Sequence, residues 1–357
     1  MMPPIDLKSR FLRNRVAPLD SLVSLVRRAP RGMPVVGKDV GATPHDVVWT
    51  ENKWRLLRFS PAVRKFKTPV ILIPSLINRW YVLDLGPERS FIEWLVAQGH
   101  EVFCIDWGMP GAEDRYLTWD DIGGRYVGRA VRIAARSIGS GGKVHVLGYC
   151  LGGTLATAYV AAFPEGVASL TALAAPVDFQ HAGIMSEWTR TPTFDVRSII
   201  DAFGNIPHQL MQASFRMLKP TLHAAKLVAV LDRAWDDEFL DGFLATERWG
   251  NDNVSFPGEC YARYIDELYR ENRLVNGTFT VLGRRAALPS ITCPVLAIAF
   301  ADDHIVPVPS AQPLIDLVAA RDKQIVVDRG GHVGAVVSKK ASTRLWPAMH
   351  TFWAQRD

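Results

Sequence analysis

Cysteine is scarce in this chain, with four in 357 residues and no C-x-x-C pair. A disulfide scaffold and a zinc ribbon are thereby excluded, and no metal site is expected. No stretch approaches the roughly 18 consecutive apolar residues that a membrane-spanning helix needs, so no membrane span is expected. The N-terminus lacks an apolar signal-peptide core, because Asp6, Lys8, Arg10, Arg13 and Arg15 interrupt it. Internal repeats and low-complexity tracts are absent. There is also no basic stripe with interleaved aromatics, so a nucleic-acid partner is not expected. The reducing cytosol is the expected compartment.

What is present is ordinary globular composition: 48% hydrophobic, 22% charged, with 27 Gly and 23 Pro. That length and balance suit one large α/β domain or two average ones, either with a substantial core. The formal net charge is +5, and residues 1–40 account for all of it. Eight basic groups (Lys8, Arg10, Arg13, Arg15, Arg27, Arg28, Arg31, Lys38) stand there against Asp6, Asp20 and Asp39. Such an arm is either a solvated lead-in or a contact for an anionic surface.

Six short apolar runs, bounded by Gly, Pro and Asp, read as buried parallel strands: Pro69–Ile73, Glu101–Trp107, Val144–Tyr149, Leu170–Ala175, Pro294–Phe300 and Gln324–Asp328. Between them Ser90–Gln98, Trp119–Ser137 and Thr154–Phe163 carry helical periodicity. The alternation predicts a doubly wound, mostly parallel α/β sheet of the α/β-hydrolase type. Strand signal fails from about Pro176 to Leu288, which predicts a helical cap inserted between strands. The expected layout is a basic arm and lead-in over 1–65, a core over 66–176 and 289–357, and a cap over 177–288.

The sharpest feature is Gly148-Tyr149-Cys150-Leu151-Gly152-Gly153, directly after an apolar run and before a helical stretch. This is the context of a nucleophile elbow, with Cys where a lipase box carries Ser. A helix N-terminus behind the thiol favours the thiolate and offers N–H groups to an oxyanion. In chain order an acid and a base should follow from later strand ends. Ala301-Asp302-Asp303-His304 follows one run and Arg329-Gly330-Gly331-His332 the other. His332 is the expected general base, and one of Asp302 or Asp303 the residue that orients it. Asp178 is a weaker alternative acid, better suited to a hydrogen bond at the cap entry. Gly139–Lys143 follows a helix and lacks the Ser or Thr of a phosphate loop, so that function is rejected.

Taken in order, these motifs resemble class III polyhydroxyalkanoate synthase catalytic subunits, from about residue 65 to the C-terminus. The likeness is carried by Leu76–Arg79, Gln98–His100, Ile105–Gly108, Gly148–Gly153, Pro176–Gln180, Phe203–Pro207, Asn276-Gly277, Ile291–Val295, Asp303–Pro307 and Gly330–Gly334. It implies Cys150 as nucleophile, His332 as base and Asp303 as acid, with Asp302 outside the motif. It further implies transfer of 3-hydroxyacyl units from coenzyme A to a growing polyester through a Cys-bound acyl group. The substrates expected are short chains such as 3-hydroxybutyryl-CoA. Backbone N–H groups of Leu151 and Ile77 are the expected oxyanion donors, and His304 an expected channel residue. The aspartate of such enzymes is thought to help activate the attacking hydroxyl. Tyr149 and Leu151 occupy variable slots, suited to tuning substrate choice.

No cofactor is implied. The expected partners are the acyl-CoA substrate, the polymer, an accessory synthase subunit and a second copy of the chain, at polyester granules in the cytoplasm. Two other functions stay open: a thioesterase or polyester depolymerase on the same fold, and a weakly catalytic granule-surface scaffold.

Overall fold

The six apolar runs become strands of one eight-stranded sheet, ordered β1 (Asp46–Glu51), β2 (Trp54–Phe59), β4 (Val102–Asp106), β3 (Val70–Ile73), β5 (Val144–Tyr149), β6 (Val167–Leu173), β9 (Val295–Phe300) and β10 (Lys323–Asp328). The computed structural model describes residues 40–217, 228, 230–233 and 235–357. The eight basic residues of the N-terminal arm lie outside them. Strands β3 (Val70–Ile73), β4 (Val102–Asp106) and β5 (Val144–Tyr149) are buried at every position. That is the signature of a parallel sheet covered on both faces. β6 (Val167–Leu173) begins three residues before the expected run and ends two residues before its limit. Ala174 and Ala175 instead form the buried turn beyond it, with Ala174 at φ 46°.

Four strands were not foreseen: two extend the main sheet, and two form a short separate hairpin, Thr280–Val281 with Arg284–Arg285, inside the segment expected to be helical. β1 (Asp46–Glu51) and β2 (Trp54–Phe59) form an antiparallel hairpin that extends the sheet beyond β4. β1 is largely exposed, and its apolar stretch, Val47–Trp49, is only three residues long, too short to read as a strand. β2 is held to β4 by side chains as well as backbone. Arg55 Nη2 lies 2.6 Å from Asp106 Oδ2, and Arg58 Nε lies 2.6 Å from Glu101 Oε1.

Helix α1 (Phe91–Gln98) connects β3 to β4, starting at Ser90, whose Oγ accepts from Glu93 N at 2.8 Å. Helix α2 (Val127–Arg136) leads into β5 after a seven-residue π-helical turn, Asp120–Tyr126. Helix α3 (Leu151–Ala162) follows β5 and is buried throughout. Between β6 and β9 (Val295–Phe300) lie α4 (Gly183–Arg190), α5 (Val196–Phe203), α6 (His208–Met217), α7 (Asp237–Asn251) and α8 (Gly258–Arg263). The short hairpin β7 (Thr280–Val281) and β8 (Arg284–Arg285) completes that segment. The chain then returns to the sheet through β9, α9 (Val308–Leu317), β10 (Lys323–Asp328), α10 (Gly334–Val337) and α11 (Leu345–Ala354).

Three histidines sit at the N-terminal edge of the sheet, away from the strand ends that carry Cys150, Asp303 and His332. His100 Nε2 meets His350 Nδ1 at 2.9 Å, while the His100 ring stacks on Phe66 at 4.2 Å. His145 Nδ1 meets Ser169 Oγ at 2.8 Å. Burial pushes His100 down to about 3 and His145 to about 4, and lowers His350 as well. The folded chain therefore keeps these rings neutral, whereas the unfolded chain protonates them near pH 6.5. Their contribution is complete above pH 6.5 and is lost as pH falls toward 4. Urea midpoints measured from pH 7 to 4 should decline over that window. His145→Asn, which retains a partner for Ser169 but does not titrate, should flatten part of the slope; an unchanged slope would remove His145 from the account.

Candidate active site

The site begins with a backbone that ordinary side chains cannot accommodate. At the end of β5 the chain must reverse into α3, and Cys150 takes φ 56° and ψ −128° to do so. That region is sparsely populated for a residue with a side chain and costs about 1–3 kcal/mol. The glycines around it are dictated by contact. A Cβ on Gly148 would lie 2.4 Å from Gly153 Cα, and one on Gly152 would lie 2.0 Å from the Ile73 carbonyl oxygen. A Cβ on Gly153 would stand 2.2 Å from Ala175 Cβ. The turn is closed by Cys150 N–H donating to Leu173 O at 2.9 Å and Gly153 N–H donating to Cys150 O at 2.8 Å.

Two later strand ends supply the partners. Asp303 follows β9 and its side chain is fully buried, while His332 follows β10 with a side chain only 9% exposed. His332 Nδ1 lies 2.7 Å from Asp303 Oδ2. The other carboxylate oxygen, Oδ1, accepts from Ile305 N at 2.8 Å and Val306 N at 2.9 Å. A carboxylate so engaged is an acceptor at every contact, which places the imidazole proton on Nδ1 and turns Nε2 toward proton exchange. Burial opposes a charge on His332. Interaction with Cys150 and the hydrogen bond that the ring donates to Asp303 outweigh it, and the imidazole is pushed up to about 10. Cys150, His332 and Asp303 are thus one electrostatic unit, in which the imidazole readily keeps a proton taken from the thiol.

Asp302 is exposed and braces the base loop from outside, its N–H donating to Gly330 O and its Oδ2 accepting from Gly330 N, both at 3.2 Å. Asp178 is committed elsewhere. It accepts from Gln180 N at 2.8 Å and Asn272 Nδ2 at 3.0 Å, and pairs with His181 Nδ1 at 3.0 Å. It ties the exit of β6 to the following segment and is not brought to His332. His304 has an exposed side chain next to the acid. Leu151 heads α3, where first-turn N–H groups have no intrahelical acceptor. Ile77 is buried in the loop after β3, which packs on α3 where the carbonyls of Ile73 and Pro74 approach Gly152.

Two features escaped the sequence reading. Tyr149 is 1% exposed, its ring stacks on His332 at 5.5 Å, and its hydroxyl donates to His332 O at 3.0 Å. The residue beside the nucleophile therefore positions the base. The second is a clamp on the loop after β3. Val254 N–H donates to Ile77 O at 2.9 Å, and Asn78 Nδ2 donates to Asn253 Oδ1 at 2.6 Å. Arg79 and Tyr81 both reach Asp252, at 3.1 and 2.6 Å, and Trp249 Nε1 donates to Arg79 O at 3.1 Å. Adjacency to Cys150 was a usable signal for Tyr149. No signal in a single sequence joins residues 77–81 to 249–254.

Comparisons with known proteins agree with this geometry. The chain matches the family described as alpha/beta hydrolase fold over residues 68–337, and the N-terminal family of poly-beta-hydroxybutyrate polymerase (PhaC) over 22–95. It is 34% identical to the poly(3-hydroxyalkanoate) polymerase subunit PhaC of Allochromatium vinosum, covering 99% of this chain and 100% of that protein. It is also 34% identical to the same-named subunit of Haloferax mediterranei over 89% of this chain, and spans 65% of that relative's length. Among solved structures, the monoacylglycerol lipase of Paleococcus ferrophilus superposes with a TM-score of 0.54 at 15% identity, covering 85% of this chain and 99% of that one. The last is a likeness of fold alone.

Asp303→Asn should slow turnover on the order of 10³-fold or more, since the wrong tautomer is then favoured at His332. Asp302→Asn should stay within about threefold of the parent, as expected for an exposed bracing contact. Steady-state rates of the two purified variants check this, and a reversed ranking would contradict the assignment of Asp303. Tyr149→Phe retains the ring stack but removes the hydrogen bond to the base loop. It should reduce kcat about fivefold with little change in KM, in proportion to a lost hydrogen bond of about 1 kcal/mol.

Proposed function

The chain belongs to the poly(3-hydroxyalkanoate) polymerase subunit family of α/β hydrolases, and from that premise we propose that it polymerises 3-hydroxyacyl units from coenzyme A thioesters through a Cys150 acyl intermediate. The observation that carries the reading is the coupled set of Cys150 at the strained elbow, His332 at its side, and Asp303 held by three hydrogen bonds. Cys150, its proton passed to His332 Nε2, attacks the thioester carbonyl. The tetrahedral oxyanion faces the N–H of Leu151 and, in this proposal, that of Ile77. Collapse expels the coenzyme A thiolate, which takes the proton from His332. A thiol nucleophile suits this exchange because attacking and leaving groups are both thiolates of similar basicity.

Elongation requires the hydroxyl of another unit to attack the Cys150-bound carbonyl, and that hydroxyl must lose its proton. The resemblance assigned part of this role to the aspartate. The burial of Asp303 and its three existing contacts favour a simpler division: His332 takes the proton, and Asp303 acts through the imidazole. The substrate is expected to be short, of the 3-hydroxybutyryl type. A second, accessory subunit and location at polyester granules in the cytoplasm belong to the same proposal. Among the described residues no helix is long and apolar enough to cross a membrane.

The test is purified chain with 3-hydroxybutyryl-CoA, following free thiol and turbidity together. Thiol release with polymer is the expected result, accelerated by the accessory subunit from the same source. Thiol release without polymer indicates a hydrolase, and neither product, with or without the partner, indicates a scaffold. Cys150→Ala should abolish thiol release, and Cys150→Ser should retain at most a small residual rate, since a hydroxyl ionises far less than a thiol. Turnover by the alanine variant near the parent rate would end the proposal.

A further inference from the structure

A seven-residue π-helical turn, Tyr264–Arg270, follows α8 inside the segment between β6 and β9. Its pitch has a consequence for two tyrosines. On an α-helix, positions five apart project about 140° from one another. The i→i+5 bonding of a π-turn brings them to one side, and such turns concentrate at functional sites. Tyr264 and Tyr269 accordingly stand edge to face, with ring centroids 5.2 Å apart. Phe179 packs edge-on against both, at 5.7 and 4.9 Å, and Phe256 lies 5.5 Å from Tyr264.

This aromatic cluster is fastened to the helix that heads from the nucleophile. Thr154, in the first turn of α3, donates from Oγ1 to Pro176 O at 2.7 Å, and Phe179 follows in the same loop. Phe179 N–H donates to Asn272 Oδ1 at 3.0 Å, which joins that loop to the chain just beyond the π-turn. Cys150 and Tyr264 are both part-buried against the same apolar core. Burial, then Tyr269, then Cys150 hold the Tyr264 hydroxyl well above the usual phenol range. Burial pushes Tyr269 up to about 12, against the lowering effect of its hydrogen bond with Tyr264 and with a further rise from Cys150. Both hydroxyls therefore stay uncharged, and both lie within electrostatic reach of the thiol. Two hydroxyls that share one hydrogen bond keep one donor and spare lone pairs for a third group. A secondary alcohol, donor and acceptor at once, answers that offer. A methylene does not.

We infer that Tyr264, paired with Tyr269, binds the 3-hydroxyl of the acyl group carried by Cys150 and so selects 3-hydroxyacyl over plain acyl thioesters. The inference rests on the polymerase reading for the identity of the acyl group. Tyr269 is 7% exposed, whereas Tyr264 keeps part of its surface open. Tyr264 therefore makes the contact, and Tyr269 fixes the direction of its hydroxyl. A site built to bond a substrate hydroxyl is left with unmet polar groups when that hydroxyl is missing, which is the physical source of the selection.

Two measurements test it, both comparing 3-hydroxybutyryl-CoA with butyryl-CoA, which lacks only that hydroxyl. Rapid mixing first follows the initial release of coenzyme A per Cys150 at subsaturating substrate. The parent chain should react at least about tenfold faster with the hydroxylated compound. Tyr264→Phe retains the ring and its packing, and its preference should fall about fivefold to tenfold through a loss confined to 3-hydroxybutyryl-CoA. Tyr269→Phe should lower the same ratio about twofold to fivefold. Release from butyryl-CoA should stay near the parent rate in both variants, which shows that they are folded. An unchanged ratio would overturn the inference. So would an equal loss on both substrates, which indicates a packing role or a contact with the thioester itself. The second measurement needs no turnover. Calorimetric binding of the two thioesters to Cys150→Ala should show a preference of about threefold to tenfold, which Tyr264→Phe added to that chain removes. If the parent releases no coenzyme A from either compound, the polymerase reading fails and binding alone decides. A preference that survives in the double variant, or no preference at all, then overturns the role of Tyr264.

Discussion

Everything in this site depends on the backbone of one residue. Cys150 is held at φ 56° and ψ −128° because it is the single residue between the end of β5 and the start of α3, so the whole reversal falls on it. The strain is sustained by packing on every side: α3 is buried along its whole length, β5 is buried at each position, and both flanking strands are in register with it. The glycines of the box follow as a consequence. They mark where the loop after β3 and the turn after β6 press against the elbow, so the box records its neighbours as much as its chemistry. A strained residue of this kind persists only where the surrounding structure over-determines it.

The nucleophile and the base come from strands that are not neighbours. In the sheet, β6 and β9 separate β5 from β10, so the loops after β9 and β10 must reach back over the end of β6. Asp303 shows how that reach is stabilised. One carboxylate oxygen organises its own loop through two backbone N–H groups, and the other organises the neighbouring loop through His332. Tyr149 closes the circuit from the other side, stacking on the imidazole and donating to the backbone of the base. The three strand ends are thus tied pairwise, β5 to β10 by Tyr149 and β9 to β10 by Asp303. This rigidity keeps Cys150 and Asp303 close to the buried imidazole of His332, whose protonated form they favour against the cost of burial.

The core of the fold was legible in the sequence because parallel strands covered on both faces leave nearly continuous apolar runs, as in Val70–Ile73 and Val295–Phe300. The α/β-hydrolase fold was legible from those runs together with the elbow, whose residue types are set by local contact. The hairpin of β1 and β2 was not legible. An edge strand such as Asp46–Glu51 needs only backbone partners, and most of its side chains, Val47 and Trp49 among them, are exposed. The limits of β6 were displaced because Ala174 and Ala175 are as buried as the strand, yet turn away from it. At the site, chain order separated Cys150 and His332 from their surroundings, but the adjacent Asp302 and Asp303 differ only in direction. The structure resolves them by burial, one exposed and one enclosed. Tyr149 was read as a variable slot because its bond runs to a residue 183 positions away.

The same limit applies to the clamp, and there it bears on how the site is completed. The segment after β3 returns to the sheet through Trp80, whose ring lies 5.8 Å from that of Phe59 on β2. Beyond Ser75 its ties run to residues 249–254, through Val254 to Ile77, Asn253 to Asn78, and Asp252 to Arg79 and Tyr81. An oxyanion donor acts through fixed position, so a donor on this loop is only as well placed as the segment that holds it. Displacement of residues 249–254 would carry Ile77 with it and leave the elbow with the N–H groups of α3 alone. On the proposed assignment of Ile77, the placement of that donor is therefore set by residues far away in the sequence.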